Sequence, residues 1–308
     1  MMKVGLVDVD GHNFPNTAIM KIAGYHRSKG DDVDWVFHFD HYDRIYKSKV
    51  FTFTPDDNTA DDADEIIKGG TGYDITSRLP DEIDAWTKPD YSIYSFPFSI
   101  QFYSRGCIRH CPFCLVHDKE GDIHPVEPMQ LNPIGKWIEV LDNNFFANPE
   151  WREAIRHLKA QGQPVNFHGV DIRIMDSEQA EALKGLRLKR NIHIAWDLPQ
   201  LDLTDKLKEV VKFIPARRLS CYVLVGFNST PEQDLHRVRT LKSLGITPFV
   251  QPFRDYENKT QPSQYAKDFA RWANRVCTLK SCDFLDFEPR NGFKCSQYFE
   301  NQQVKLIN

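Results

Sequence analysis

The chain has 308 residues, 41% of them hydrophobic and 27% charged, with a formal net charge of −4. That balance supports a buried core and excludes a disordered chain, and the length suits one large domain or a domain with an appendage. The weak negative charge gives no electrostatic reason to expect nucleic acid, and no apolar run approaches the length of a membrane span.

Residues 3–9 form an apolar run that ends in Asp10-Gly11, the signal of a strand and then a turn. Asp8 and Asp10 stand where a secretory signal would carry its apolar stretch, so a cytoplasmic protein is expected. A helix is predicted over 15–28, closed by Gly30. Residues 34–39, 49–54 and 65–68 are further short strand candidates, and Gly69-Gly70-Thr71-Gly72 is a glycine-rich turn. The alternation predicts a small Rossmann-like domain over 1–80. Residues 81–98 are rich in Pro, Asp and Tyr without a clear period, and read as a linker or a wrapping segment.

A second alternation follows, with strand candidates at 99–105, 137–141, 165–169, 192–196, 221–226 and 246–251. Asn148-Pro149-Glu150, Asp176-Ser177-Glu178, Thr204-Asp205 and Ser229-Thr230-Pro231-Glu232 open helices between them. Six strand–helix units predict an α/β fold whose core, 99–257, is a partial (β/α)6 TIM-like barrel. Functional groups in such a fold sit at the C-terminal ends of the strands. Residues 258–308 form a C-terminal extension, with a helix over 263–277 and an aromatic tail (Phe284, Phe287, Phe293, Tyr298, Phe299) read as packing.

Cys107, Cys111 and Cys114 follow the first strand of this series with the spacing C-x3-C-x2-C. Three thiolates can hold a four-iron cluster with one iron open to a ligand, whereas a closed electron-transfer cluster takes four. A zinc site would need a fourth ligand, for which His110 or His117 is near, and ordinary thiols are the plainest alternative. In the expected compartment the seven cysteines read as metal ligands or thiols rather than disulfides. Cys221, Cys277, Cys282 and Cys295 match no second-cluster spacing and read as ordinary thiols, and His168 and His193 read as wall histidines.

The cysteine spacing, with aromatic Phe113 before the last thiol, resembles the signature of the radical S-adenosylmethionine (SAM) enzymes. Ser104-Arg105-Gly106 before it and Lys119-Glu120-Gly121 after it resemble the group that carries an N-terminal cobalamin-binding domain, and the likeness spans most of residues 1–255. The resemblance implies a [4Fe-4S] cluster on the three cysteines, with SAM chelated at its open iron. Reductive cleavage then gives a 5′-deoxyadenosyl radical, which abstracts hydrogen from a substrate the sequence does not identify. An electron donor such as flavodoxin or ferredoxin is implied as partner. It also implies SAM contacts: Phe113 near the adenine, Asn143 and Asn144 near the amino group, Asp197 near the ribose or methionine moiety, and Gln251 near the adenine. The stretch Asp142-Asn143-Asn144 departs from the family's common Gly-Gly-Glu, and its plainer reading is a turn. Arg173 offers either a bidentate grip on a carboxylate or an ion pair, and Gly226 permits close backbone approach by a ligand.

Cobalamin itself is disfavoured. Only about four strands fit before the linker, and the motif Asp-x-His-x-x-Gly is absent, since Asp10-Gly11-His12 continues as Asn13-Phe14-Pro15. The N-terminal domain is therefore expected to be vestigial. The alternatives are a cobalamin-dependent radical SAM methyltransferase and a noncatalytic iron–sulfur or zinc binding protein.

Overall fold

In the computed structural model, which describes residues 1–58, 62–255 and 258–299, the N-terminal apolar run forms β1 (Lys3–Asp8). Its side chains alternate: Val4 and Leu6 pack with Ile19, Met20 and Ala23, whereas Val7 packs with Tyr42 and Ile45. α1 (Thr17–Ser28) starts at Asn16, whose side chain accepts from the amides of Ala18 and Ile19. β2 (Asp32–Trp35), β3 (Tyr42–Ser48) and β4 (Ala63–Gly69) complete a parallel sheet in the order β2-β1-β3-β4. Four strands is the number the sequence suggested.

The third strand is not at 49–54, where it was expected, but one segment earlier. Asp10 supplies the reason: its carboxylate accepts from the amides of Val50 and Phe51 and from the Thr54 hydroxyl, which holds that stretch as a loop. The true strand is masked by polar residues that are nonetheless buried, among them Lys47 and Ser48. β2 likewise begins before the expected 34–39 and ends at Trp35, and Val36 closes it by donating to the Leu6 carbonyl at 3.1 Å.

Residues 81–98 wrap the sheet. α2 (Asp81–Asp84) and a 3₁₀ turn at Tyr91–Ile93 place Ile83, Ile93 and Tyr94 in the same core as α1. Trp35 Nε1 donates to the Ile93 carbonyl at 3.1 Å, and the Tyr94 hydroxyl donates to Asp8 at 2.6 Å.

Next come β5 (Ser99–Gln101), β6 (Ser104–Arg105), α3 (Val116–Glu120), β7 (His124–Pro125), β8 (Ile138–Val140) and α4 (Trp151–Gln161). β5 pairs parallel with β8, and β6 antiparallel with β7. α4 starts two residues after Pro149, the expected first position. Asn148 is buried there, donating to the Tyr103 carbonyl at 2.9 Å and accepting from the Glu150 amide at 2.9 Å.

The chain divides into two compact units, residues 1–154 and 155–308, and the division falls inside α4 rather than at either end of the expected 99–257 core. The second unit contains β9 (Val165–Phe167), α5 (Ser177–Lys184), β10 (Ile192–Ala195), α6 (Thr204–Val210), β11 (Leu219–Val225), α7 (Pro231–Ser243), β12 (Thr247–Pro252), α8 (Gln264–Ala273) and α9 (Val276–Ser281). β10, β11 and β12 form a parallel sheet, and a parallel bridge from Val170 to Ile194 sets the stretch after β9 beside β10. Capping boxes at Asp176/Gln179 and Thr230/Gln233 start α5 and α7. The expected helix over 263–277 is broken because Asn274 turns its side chain onto β12, donating to the Val250 carbonyl and accepting from its amide. In the tail, Phe284 is fully buried against Phe269 and Trp272, at ring separations of 4.8 and 5.3 Å.

Each unit thus carries parallel strands and helices, and the fold is α/β. Among the described residues no helix is long and apolar enough to cross a membrane. The expected core boundary at 257 and residues 300–308 of the expected extension lie outside the described residues.

Candidate metal centre and strand-end residues

β6 and β7 pair Ser104 with Pro125 and Arg105 with His124, so the chain leaves and returns at one place and the cysteines lie on a closed loop. Gly106 opens that loop at φ +75°, and a Cβ there would stand 2.2 Å from the Asp122 carbonyl oxygen, so no other residue fits. Glu120 gathers the loop's two ends. Its carboxylate accepts from the Arg105 guanidinium, from the Gly106 amide at 2.9 Å and from Asn143 Nδ2 at 2.7 Å. The Cys107 amide donates to the Gly121 carbonyl at 3.2 Å, and the Cys114 amide to the Cys111 carbonyl at 2.9 Å. The second of these bonds makes the C-x2-C pair a single turn. Cys107 and Cys111 are half-buried and Cys114 is exposed. Phe113, inside the turn, is half-buried and is not part of the core.

The stretch Asp142-Asn143-Asn144 braces this loop. Asp142 is buried and accepts from the amides of Tyr103 and Ser104 and from the Ser104 hydroxyl at 2.6 Å. Burial pushes its carboxyl up to about 6, against the pull of those donors. Asn143 is exposed and held by Glu120, while Asn144 is buried with Nδ2 3.9 Å from Cys107 Sγ. The Arg109 amide lies 3.4 Å from the same sulfur. Three thiols on one surface loop, with N–H groups directed at Cys107 Sγ, are a donor set of the kind that holds a [4Fe-4S] cluster, whose potential responds to such hydrogen bonds. Asn143 and Asn144, expected beside a SAM amino group, are therefore engaged with Glu120 and Cys107. Beside the thiols, His110, His117 and Asp122 bring their ligand atoms within 4.8 Å of one another.

In the second unit, Asp171 takes the guanidinium of Arg173 in a two-point pair, at 2.6 and 2.8 Å, which is the ion-pair alternative of the two readings. Asp197, at the end of β10, accepts from the Leu224 amide at 3.1 Å, and burial raises its carboxyl above the usual range while Arg237 and Arg173 oppose that rise. Gly226 is exposed at φ +84°, and a Cβ there would make only ordinary contact with Ala266, so its left-handed backbone, and no neighbouring protein atom, calls for glycine. Gln251 is exposed near the end of β12.

His168, His193, Tyr222 and Phe249 form a ladder of rings across the strands, at successive separations of 5.6, 5.2 and 5.7 Å. Both histidines are half-buried within this stack of rings, and His193 Nδ1, shut off from solvent, makes no hydrogen bond, so that nitrogen lacks the partner the sequence suggested. Cys221 and Cys295 are buried, Cys282 is half-buried and Cys277 is exposed, and none of these four forms a disulfide. Burial pushes the Cys295 thiol up to about 12, the mark of a packed and unreactive sulfur.

Two features escaped sequence reasoning. One is Glu120, noticed as part of a likeness but not as the group that closes the loop. The other is Arg237, fully buried, which donates to the carbonyls of Trp196, Asp197 and Leu224 and pairs with buried Asp234 at 2.6 Å. An acid and a base three apart on a helix look the same in sequence whether exposed or buried.

No family model matches the chain, and no curated protein matches it.

Proposed function

We propose that the chain is a radical SAM enzyme acting on a substrate yet to be identified, with the six strand–helix units serving as its partial (β/α)6 barrel. The observation that carries this reading is the cysteine loop: C-x3-C-x2-C on a closed surface loop, its ends tied by Glu120, with amide N–H groups directed at Cys107 Sγ. Cys107, Cys111 and Cys114 would hold the cluster, which when bound supplies the electron that cleaves SAM to methionine and a 5′-deoxyadenosyl radical.

The chain's own residues have separate tasks in this reading. Glu120 and Gly106 fix where the loop begins, Asp142 locks the backbone of Tyr103 and Ser104 ahead of it, and Asn144 turns its side-chain amide toward Cys107 Sγ. Phe113, Asp197, Gly226 and Gln251 stay in the proposed set of SAM contacts. Arg173, Asn143 and Asn144 act through the internal partners described above. His12, the nearest counterpart of a cobalamin-ligating histidine, is stacked on Trp35 at 4.1 Å, which supports the version without cobalamin.

The test is anaerobic reconstitution with iron and sulfide followed by electron paramagnetic resonance of the reduced protein. The reading expects about four irons per chain and a reduced-cluster signal that changes when SAM is added. A signal unmoved by SAM rejects it in favour of a noncatalytic iron–sulfur protein. A signal that moves together with stoichiometric cobalamin binding selects the methyltransferase instead.

A further inference from the structure

We propose that His110, His117 and Asp122 form a binding site for one divalent first-row cation, zinc foremost, separate from the thiols. The three side chains come from different parts of the cysteine loop. His110 lies between Cys107 and Cys111, His117 is the second residue of α3, and Asp122 follows the Gly121 turn. Their ligand atoms nevertheless lie within 4.8 Å of one another, and the two imidazole centroids are 3.6 Å apart.

His117 Nδ1 supplies the second, independent observation: it is shut off from solvent and makes no hydrogen bond. Its nearest carboxylate oxygen, Asp122 Oδ1, is 3.9 Å away, beyond hydrogen-bond reach. A buried polar atom left in that state destabilises the loop unless a ligand or cation meets it. Two ligand atoms on a tetrahedral zinc at ordinary bond lengths stand about 3.3 Å apart, so the His117–Asp122 pair, at 3.9 Å, must close by about 0.6 Å and no pair of the three by more than about 1.5 Å to meet an ion.

The backbone holds the group in place. Asp122 passes directly under Gly106, where a Cβ would collide with its carbonyl, and that carbonyl also accepts from His124 Nδ1 at 2.9 Å. Two imidazoles and one carboxylate are a borderline-soft donor set that favours zinc over magnesium or calcium, and leave the fourth tetrahedral position to water. A cation there ties α3 to the segment between the first two cysteines. Because no thiol takes part, the inference holds or falls independently of the cluster.

The experiment titrates the full-length chain with Co²⁺ and with Zn²⁺, in cluster-loaded wild type and in the C107A/C111A/C114A variant. The expected result is one Co²⁺ per chain in both, with visible d–d bands of nitrogen and oxygen donors and no thiolate charge-transfer band in the near ultraviolet. Replacing His117→Ala should weaken binding at least about tenfold, as should His110→Gln, which keeps a polar side chain if the first variant folds poorly; circular dichroism checks both. A C107A/C111A/C114A variant that binds neither ion at micromolar concentration overturns the proposal. So does a thiolate band that vanishes with the cysteines, which would assign the metal to the thiols.

Discussion

Glu120 and Asp234 are both carboxylates held by an arginine, yet they sit in opposite settings. The Glu120 side chain is 16% exposed and its partner Arg105 36%, and the carboxylate also takes the amide of the adjoining Gly106 and the side chain of Asn143 from a further segment. Asp234 and Arg237 are 0% and 1% exposed, and Arg237 caps three strand-end carbonyls. The first arrangement shapes a loop and leaves its three thiols half-buried or exposed. The second neutralises charge internally and presents no reactive group. Charged residues at strand ends therefore do not by themselves mark chemistry; what distinguishes the loop is that its polar contacts hold backbone and leave the thiols outward.

The comparison breaks most visibly at Arg237. Arg237→Met leaves Asp234 buried with neutral hydroxyl donors, Tyr265 at 3.0 Å and Ser229, in place of its charged partner, and should cost about 3–5 kcal/mol in chemical denaturation. A loss below 1 kcal/mol would mean that the pair is solvated and the contrast with Glu120 is false.

Asp142 gives the next effect, read through pH. Its folded pKa of about 6 lies above the unfolded value, so its stabilisation is complete below about pH 4 and is lost as pH rises through about 6. The window is worth about 3 kcal/mol, and Asp142→Asn should flatten the stability profile across it even if the variant is less stable overall. An unchanged slope would show that Asp142 is ionised and solvated.

The smallest effect is local. Glu120→Gln weakens the charge-assisted bonds at the loop mouth by about 1–2 kcal/mol. It should speed amide exchange at Gly106 and Cys107 while leaving global unfolding nearly unmoved. Equal acceleration across β1 would show that Glu120 supports the whole unit rather than the loop.

What the sequence made legible follows the same division. The strands of the second unit were readable because buried Ile192, Ile194, Val223, Val225 and Val250 alternate with exposed or half-exposed neighbours, and because capping boxes mark the helix starts between them. β3 was hidden because its buried residues include Lys47 and Ser48, and because Asp10, some forty positions away in sequence, bends the more strand-like segment into a loop. The break between α8 and α9 depends on Asn274 reaching β12, a tertiary contact with no local signature. At the candidate site, the cysteine spacing was plain in the sequence. The roles of Glu120, Asn143 and Asn144 were not, because each is defined by a partner distant in the chain.

The central claim is tested most directly by incubating the anaerobically reconstituted full-length protein with dithionite and SAM and assaying for 5′-deoxyadenosine by chromatography. The account predicts 5′-deoxyadenosine and methionine from the wild type and none above background from C107A/C111A/C114A, with the fold of the variant retained. A folded wild type that takes up no iron and forms no 5′-deoxyadenosine would contradict it.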